Sequence, residues 1–256
     1  KIDHIIPFFK KKTKKFRPCG RFKNYKNIET MRLILFIFFG FFLPSHLTAQ
    51  FNINVGYKYS LTKPTIHNKI IDQINNNNSS LENYTEMKSL KSFHGIHLGS
   101  RYRAGFVGLN LDWNPKFQLI EFDGINPLTD ANEFRKLYYR FDSYSLGVEF
   151  FIKQFSFGAS YDWNKIRIRS EYTARTDRHD IFNAKSTSSH FFVSLNVYGN
   201  ENLTLAFQPY VQIPWTNFNL TNLENDLNTG VNLSDYEDGF LNYGLKLVFQ
   251  NGNYKN

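Results

Sequence analysis

Gly108-Leu109-Asn110-Leu111-Asp112-Trp113-Asn114 alternates apolar and polar residues, and fifty residues later Gly158-Ala159-Ser160-Tyr161-Asp162-Trp163-Asn164 repeats the pattern. A period of two is the signature of a β-strand with two unlike faces. Leu98-Gly99 and Leu146-Gly147 hold similar places in the segments just before the two copies. A duplicated hairpin accounts for both, pairing a second strand with a third and a fourth with a fifth. A catalytic reading of the two Asp-Trp-Asn triplets lacks the supporting constellation that chemistry needs.

The same alternation extends in both directions. Phe51, Ile53, Val55, Tyr57, Tyr59 and Leu61 oppose Asn52, Asn54, Gly56, Lys58 and Ser60. Ile96, Leu98 and Tyr102 oppose His97, Gly99, Arg101 and Arg103, and Tyr144, Leu146, Val148, Phe150 and Ile152 oppose Ser145, Gly147 and Glu149. The fifth strand could continue through Ile166 and Ile168, beyond the membrane. A sixth strand carries Phe191, Val193, Leu195 and Val197, a seventh Leu203, Leu205, Phe207, Val211, Ile213 and Trp215, and an eighth spans 242–249. Tight turns are expected at Ala104-Gly105, Lys153-Gln154 and Gly199-Asn200. Long connections are expected at 62–91, 115–136, 170–187 and 216–238. Strict alternation of long and short connections is the wiring of strands laid down as hairpins across a membrane.

One apolar face does not distinguish a soluble barrel from a membrane barrel, since the first buries it and the second turns it outward. Two features favour the membrane. Lys58, His97, Arg101, Arg103, Asp112, Glu149, Asp162 and Lys246 share the minority face with glycines, as suits a narrow lumen filled by ion pairs and hydrogen bonds. Trp113, Trp163 and Trp215 all fall on the apolar face toward the long connections, where an aromatic girdle would meet the lipid–water interface. The expected fold is an all-β, eight-stranded antiparallel up-and-down transmembrane barrel with short helical pieces in its extracellular loops. Eight strands leave room for side chains but not for a wide pore.

Charge supports that division. Of 31 Lys+Arg and 22 Asp+Glu, residues 1–50 hold 11 and 2, which leaves 20 of each in 51–256. The net +9 therefore belongs to the leader, and a nucleic-acid partner has no support from the part that folds. Residues 1–30 are a basic run, read as upstream sequence rather than as a functional arm. Residues 31–49 read as a secretory signal peptide: Arg32, an apolar run over 33–43, and Leu47-Thr48-Ala49 before a cleavage point ahead of Gln50. The apolar run is too short for a spanning helix of about 20 residues. Residues 50–256 form the barrel domain. The single Cys19 lies in the leader, so no disulfide is expected, and no lipobox precedes it.

The sequence resembles the small eight-stranded outer-membrane barrels of the OmpA/OmpX type from Gln50 to about Phe249. The sharpest point of likeness is terminal: Asn242, Gly244, Leu247 and Phe249 match that family's assembly signal, although the polar tail 250–256 follows where such barrels commonly end on the aromatic. The resemblance implies outer-membrane lipid and the barrel-insertion machinery as partners, with termini in the periplasm and long loops outside the cell. It also implies a structural or surface-interaction role, with a surface ligand of unknown kind. The alternatives are an accessory subunit of a secretion or assembly complex, and a lipid-modifying enzyme.

For enzyme chemistry the candidates are His94, His97, His190 and the run Asp177-Arg178-His179-Asp180. Ser189 and His190 are adjacent in a strand and so point to opposite faces, which precludes a direct dyad. No close His, Cys or Asp spacing suggests a metal, and no cofactor is expected. Two helices are expected over the mouth. One follows Pro64, with Ile66, Ile70, Ile71 and Ile74 in helical spacing ahead of the polar tract 75–80. The other starts at the capping box Thr221-Asn222-Leu223-Glu224, shows Leu220, Leu223 and Leu227 on one face, and stops at Gly230.

Overall fold

The computed structural model describes residues 49–200 and 203–251. The basic run 1–30 and the signal peptide 31–49, apart from residue 49, lie outside the described residues. In chain order the elements are β1 (Ala49–Thr62), α1 (Thr65–Asn78), β2 (Glu82–Thr85), β3 (Ser92–Ala104), β4 (Val107–Asn126), β5 (Ala131–Ile152) and β6 (Phe155–Tyr172). They continue with β7 (Arg175–Asn200), β8 (Leu203–Pro214), β9 (Phe218–Asn219), α2 (Thr221–Leu227), β10 (Glu237–Asp238) and β11 (Asn242–Asn251). Eight strands close an antiparallel barrel in the order β1-β3-β4-β5-β6-β7-β8-β11, and β11 pairs back onto β1. The short β2 adds to the upper part of β4, and β9 with β10 makes a separate ladder. Tight turns fall at Gly105 and Lys153, both in the left-handed region that such reversals require.

The middle strands are longer than the alternation alone suggested. β4, β5, β6 and β7 run for 20, 22, 18 and 26 residues, whereas about 9–11 residues cross a bilayer. The stretches 115–136 and 170–187, expected as loops, are therefore mostly paired strand. Pro115 opposite Asp142 begins a ladder that ends at Asn126 opposite Ala131, and Lys165 opposite Lys185 begins another that ends at Tyr172 opposite Arg175.

The apolar residues do not stop there; they change face. On β5, Tyr144, Leu146 and Val148 are exposed on the outside, whereas Leu137, Tyr139 and Phe141 higher up point inward and are buried. On β6, Phe157 and Trp163 face outward, and Ile166 and Ile168 face inward with no exposure. Below the switch the sheet is a membrane barrel, greasy outside and polar inside. Above it the same sheet is built like a soluble barrel, because water has replaced lipid as the outer solvent.

This corrects the expectation of a polar filling throughout. The upper interior is a hydrophobic core in which Phe93, Ile120, Phe122, Leu137, Phe141, Ile166 and Ile168 from the wall meet Ile70, Ile71 and Ile74 of α1 and Leu220, Leu223 and Leu227 in and beside α2. Each such buried side chain stabilises the plug by about 1.5–3 kcal/mol relative to exposure.

The caps of the two helices also depart from the sequence reading. Pro64 gives α1 no side-chain cap. Asp238 of β10 does so from across the mouth, accepting the His67 backbone N–H at 2.9 Å. The predicted capping box of α2 does not form, because Thr221 is the first helical residue and Leu220 holds the cap position. Glu224 turns instead to the following segment, accepting from Thr229 Oγ1 at 2.5 Å and from Val231 N at 3.2 Å. The helix ends on left-handed Asn228, two residues before Gly230. The polar tract expected from Asn75 begins inside α1. There Asn75 braces the following segment, donating to Met87 O and accepting from Met87 N and Tyr84 Oη.

Candidate functional site

The lumen is the densest collection of buried polar chemistry in the molecule, and strand parity positions it. Inward positions on neighbouring strands share a level, so side chains from β1, β3, β4, β5, β6, β7, β8 and β11 converge on one axis. Near the tight turns at Gly105 and Lys153, Arg101 Nη2 lies 2.8 Å from Glu149 Oε2. The guanidinium also donates to Asn110 Oδ1 at 3.1 Å and Gln250 Oε1 at 2.8 Å. Glu149 further accepts from Asn110 Nδ2 at 3.0 Å and Ser156 Oγ at 2.5 Å. Arg103, partly exposed below this group, donates to Gly105 O at 2.8 Å and lies over the Phe151 ring.

One level higher, His97 Nδ1 donates to Asn114 Oδ1 at 2.8 Å, and its Nε2 is 3.9 Å from Asp112 Oδ1. Gln212 Nε2 donates to Asp162 Oδ2 at 2.8 Å and sits within reach of Ser143, Asn164 and Ser188. The amines of Lys58 and Lys246, directly opposite each other in β1 and β11, lie over the rings of Tyr210 and Phe192. Asp112 and Asp162 are within electrostatic reach of both amines.

The structure thus brings Lys58, His97, Arg101, Asp112, Glu149, Asp162 and Lys246 inside, with Arg103 at the lower rim. Only Arg101 with Glu149 makes a close ion pair among them. The rest is held by amides, hydroxyls and aromatic faces, which the sequence reading underrated. Asn110, Asn114, Lys116, Asn164, Gln208, Tyr210, Gln212 and Gln250 belong to the same lattice, and their even spacing with the named residues was the available signal. Lys116 marks the boundary, with Nζ 3.3 Å from Gln212 Oε1 below and 4.3 Å from the Phe141 ring centroid at the base of the apolar plug.

The histidine candidates separate. His94 faces outward, His97 is committed to Asn114, and His190 is buried with Nδ1 3.3 Å from Ser160 Oγ. Ser160 in turn donates to Asp162 Oδ1 at 2.7 Å. In that order the serine, not the imidazole, stands between the other two, which is the wrong sequence for a base to activate a hydroxyl. The run 177–180 lies on β7 rather than in a loop, with Asp177 on Arg175 and Asp180 on Arg169. Among the described residues no three His, Cys, Asp or Glu side chains are grouped to hold a metal.

The three tryptophans lie on one cross-strand row. Trp113 pairs with Tyr144, Tyr144 with Trp163, and Trp163 with Thr187, whose carbonyl accepts from Trp215 N at 2.8 Å. Trp215, just past the end of β8, meets the row through the register of β7 with β8. On β11, Asn242 and Gly244 face inward and Leu247 and Phe249 outward. A Cβ at Gly244 would lie 2.0 Å from Tyr59 O, so only glycine lets β11 seat against β1 at this point of the closing seam.

The plug buries a histidine in its helix α1. His67 on α1 is fully buried, its Nε2 2.8 Å from Tyr139 Oη, and burial pushes its imidazole down to about 4 from an ordinary 6.5. Above pH 6.5 the ring is neutral whether the plug is docked or not. Between 6.5 and 4 the released chain takes a proton that the docked ring refuses, so docking weakens as pH falls, by up to about 3 kcal/mol. Asp238, pushed up by burial, titrates with the opposite sign. Opening of 65–78, read as amide exchange relative to the intrinsic rate at each pH, is expected to show an excess at pH 4.5 over pH 7 that offsets much of the intrinsic slowing. His67→Gln should remove that excess; an excess that survives the substitution would assign it elsewhere.

No protein-family model matches the chain, and no curated protein matches it in sequence. Solved structures similar to it include Neisserial surface protein A, at 9% identity over 79% of this chain and 97% of that one, TM-score 0.41. They also include Ail, the attachment invasion locus protein of Yersinia pestis, at 13% over 77% and 97%, TM-score 0.37. The outer membrane protease OmpT from Escherichia coli matches at 9% over 83% and 100%, TM-score 0.36. Such likenesses are too slight to add to what the chain itself displays. A closed eight-stranded antiparallel sheet, apolar outside and polar inside over its lower half, gives this chain the build of a small outer-membrane β-barrel.

Proposed function

We propose that this protein is an integral outer-membrane barrel that conducts nothing and acts at the cell surface, through the hairpins that stand above the bilayer. The observation that carries this reading is the doubly closed interior: a hydrogen-bonded polar lattice below, and an apolar plug under α1 and α2 above. A channel needs a continuous wet path, and a dry hydrophobic core across the mouth removes it. The β4–β5 and β6–β7 hairpins, by contrast, continue as paired ladders, the first unbroken and the second with two irregularities near its tip, and they end in solvent, with Leu128 at the β4–β5 tip 93% exposed. With the termini periplasmic, these tips face outward from the cell and present a fixed surface to a partner.

In planar bilayers the purified protein is expected to give no large, stable conductance steps; such steps would overturn the reading. On intact cells an epitope inserted between Pro127 and Thr129 should be accessible to antibody. Labelling only after permeabilisation would reverse the orientation.

A further inference from the structure

The outer wall just above the tryptophan row carries an arrangement that neither the lumen nor the plug uses. Register fixes the outward neighbours row by row. Above Trp113, Tyr144, Trp163 and Thr187 come Pro115, Asp142, Lys165 and Lys185, and above those Phe117, Arg140, Arg167 and Asn183. Two like-charge pairs therefore stand directly opposite each other, Lys165 with Lys185 and Arg140 with Arg167. Opposed like charges destabilise an antiparallel pair, and solubility alone would be served better by mixed signs.

Nearby carboxylates relieve only part of the excess. Asp142, opposite Lys165, turns instead to Arg140 at 2.8 Å and accepts from Trp113 Nε1 at 3.1 Å. Asp180 is taken by Arg169 at 2.7 Å, and Glu171 accepts from Tyr138 Oη at 2.9 Å and lies 3.5 Å from Arg178. Among the described residues Lys165, Lys185 and Arg167 have no ion-pair partner, and Arg167 Nε is shielded from water without an acceptor. Arg140, Arg167 and Arg169 line an outward cleft of about 440 Å³ whose floor is Phe117, Leu119 and Tyr138.

We propose that this cleft binds the phosphorylated headgroup of a membrane lipid, with its acyl chains lying down the wall over Tyr144 and Leu146. Guanidinium groups grip a phosphate through paired N–H donors, and the lysine pair supplies further positive charge next to it. The site stands one to three rows above the residues that meet lipid, where headgroups are held at high local concentration and a free anion is not. The proposal rests on the bilayer position of the barrel. The direction in which the hairpins face decides only which leaflet supplies the lipid.

The test uses the purified, folded protein in neutral detergent and native mass spectrometry. Its probes are bisphosphorylated lipid A, the same lipid stripped of phosphate, and inorganic phosphate. Retention of the phosphorylated lipid is expected to weaken roughly fivefold for each cation removed in Arg167→Gln and Lys185→Gln. Lys88→Gln, outside the cleft, should bind as the parent does. Heat-modifiable migration on a denaturing gel checks that each variant is folded. Equal retention by the parent and the double variant, or retention indifferent to the lipid's phosphates, would overturn the proposal. So would inorganic phosphate that displaces the lipid at equal concentration, which would mark a free-anion site. Quenching of the tryptophans by brominated lipid reads the bilayer position separately, so failure of that premise is distinguishable from failure of the site.

Discussion

Glu149→Ala is expected to destabilise the folded barrel by about 3–5 kcal/mol, the cost of stranding a buried charge once its partner is gone. Glu149 and Arg101 are both essentially inaccessible to solvent, and the carboxylate accepts from Arg101, Asn110 and Ser156 at once. Removing it takes the carboxylate away from a guanidinium whose other described contacts, two amide oxygens and the Phe151 ring, carry no charge. Equilibrium urea unfolding in phospholipid vesicles, followed by tryptophan fluorescence, measures the loss. The paired substitution Arg101→Met with Glu149→Met should recover most of it, because it removes both charges together. A loss under about 1 kcal/mol for the single alanine variant would mean that water or another group already satisfies Arg101.

The second large effect depends on position. Val148 and Leu119 both face outward and have almost the same exposure, 40% and 42%. By accessible surface alone, an arginine should cost the same at either. Val148 lies mid-way along the outward run from Tyr144 to Ile152, whereas Leu119 stands three rows above the Trp113–Tyr144 pair. Val148→Arg is therefore expected to cost about 2–4 kcal/mol in vesicles, and Leu119→Arg less than about 1 kcal/mol. Equal penalties in the same urea titration would show that the solvent boundary does not lie at the change of face.

That change of face also explains which parts of the molecule the sequence revealed. Where lipid is the outer solvent, Leu109, Leu111 and Trp113 or Tyr144, Leu146 and Val148 alternate cleanly, and the lower strands, their turns and their inward set could be read directly. At the boundary the apolar residues shift by one position, from Tyr161 and Trp163 to Ile166 and Ile168 on β6, and from Tyr144 down to Phe141 and Tyr139 on β5. A period of two that slips by one looks like a strand ending, so periodicity alone stops β5 and β7 short; β6 is followed to Ile168, and on β4 Pro115 and Lys116 interrupt an outward run that resumes at Phe117 and Leu119. The lumen followed the same limit. Charged residues such as Lys58, Arg101 and Glu149 stand out on the minority face, whereas Gln212, which reaches five partners, is marked only by its even spacing on that face. The cap that Asp238 provides for α1 was not legible either, since 171 residues separate donor and acceptor.

That long-range cap bears on the order of events during assembly. The first turn of α1 is completed by a carboxylate delivered only after seven barrel strands have been laid down, and Tyr139, the other partner of His67, comes from the middle of the chain. Asp238 precedes only β11, the strand that closes the wall onto β1, so the completed cap of the plug and the closing seam of the barrel depend on the same C-terminal stretch.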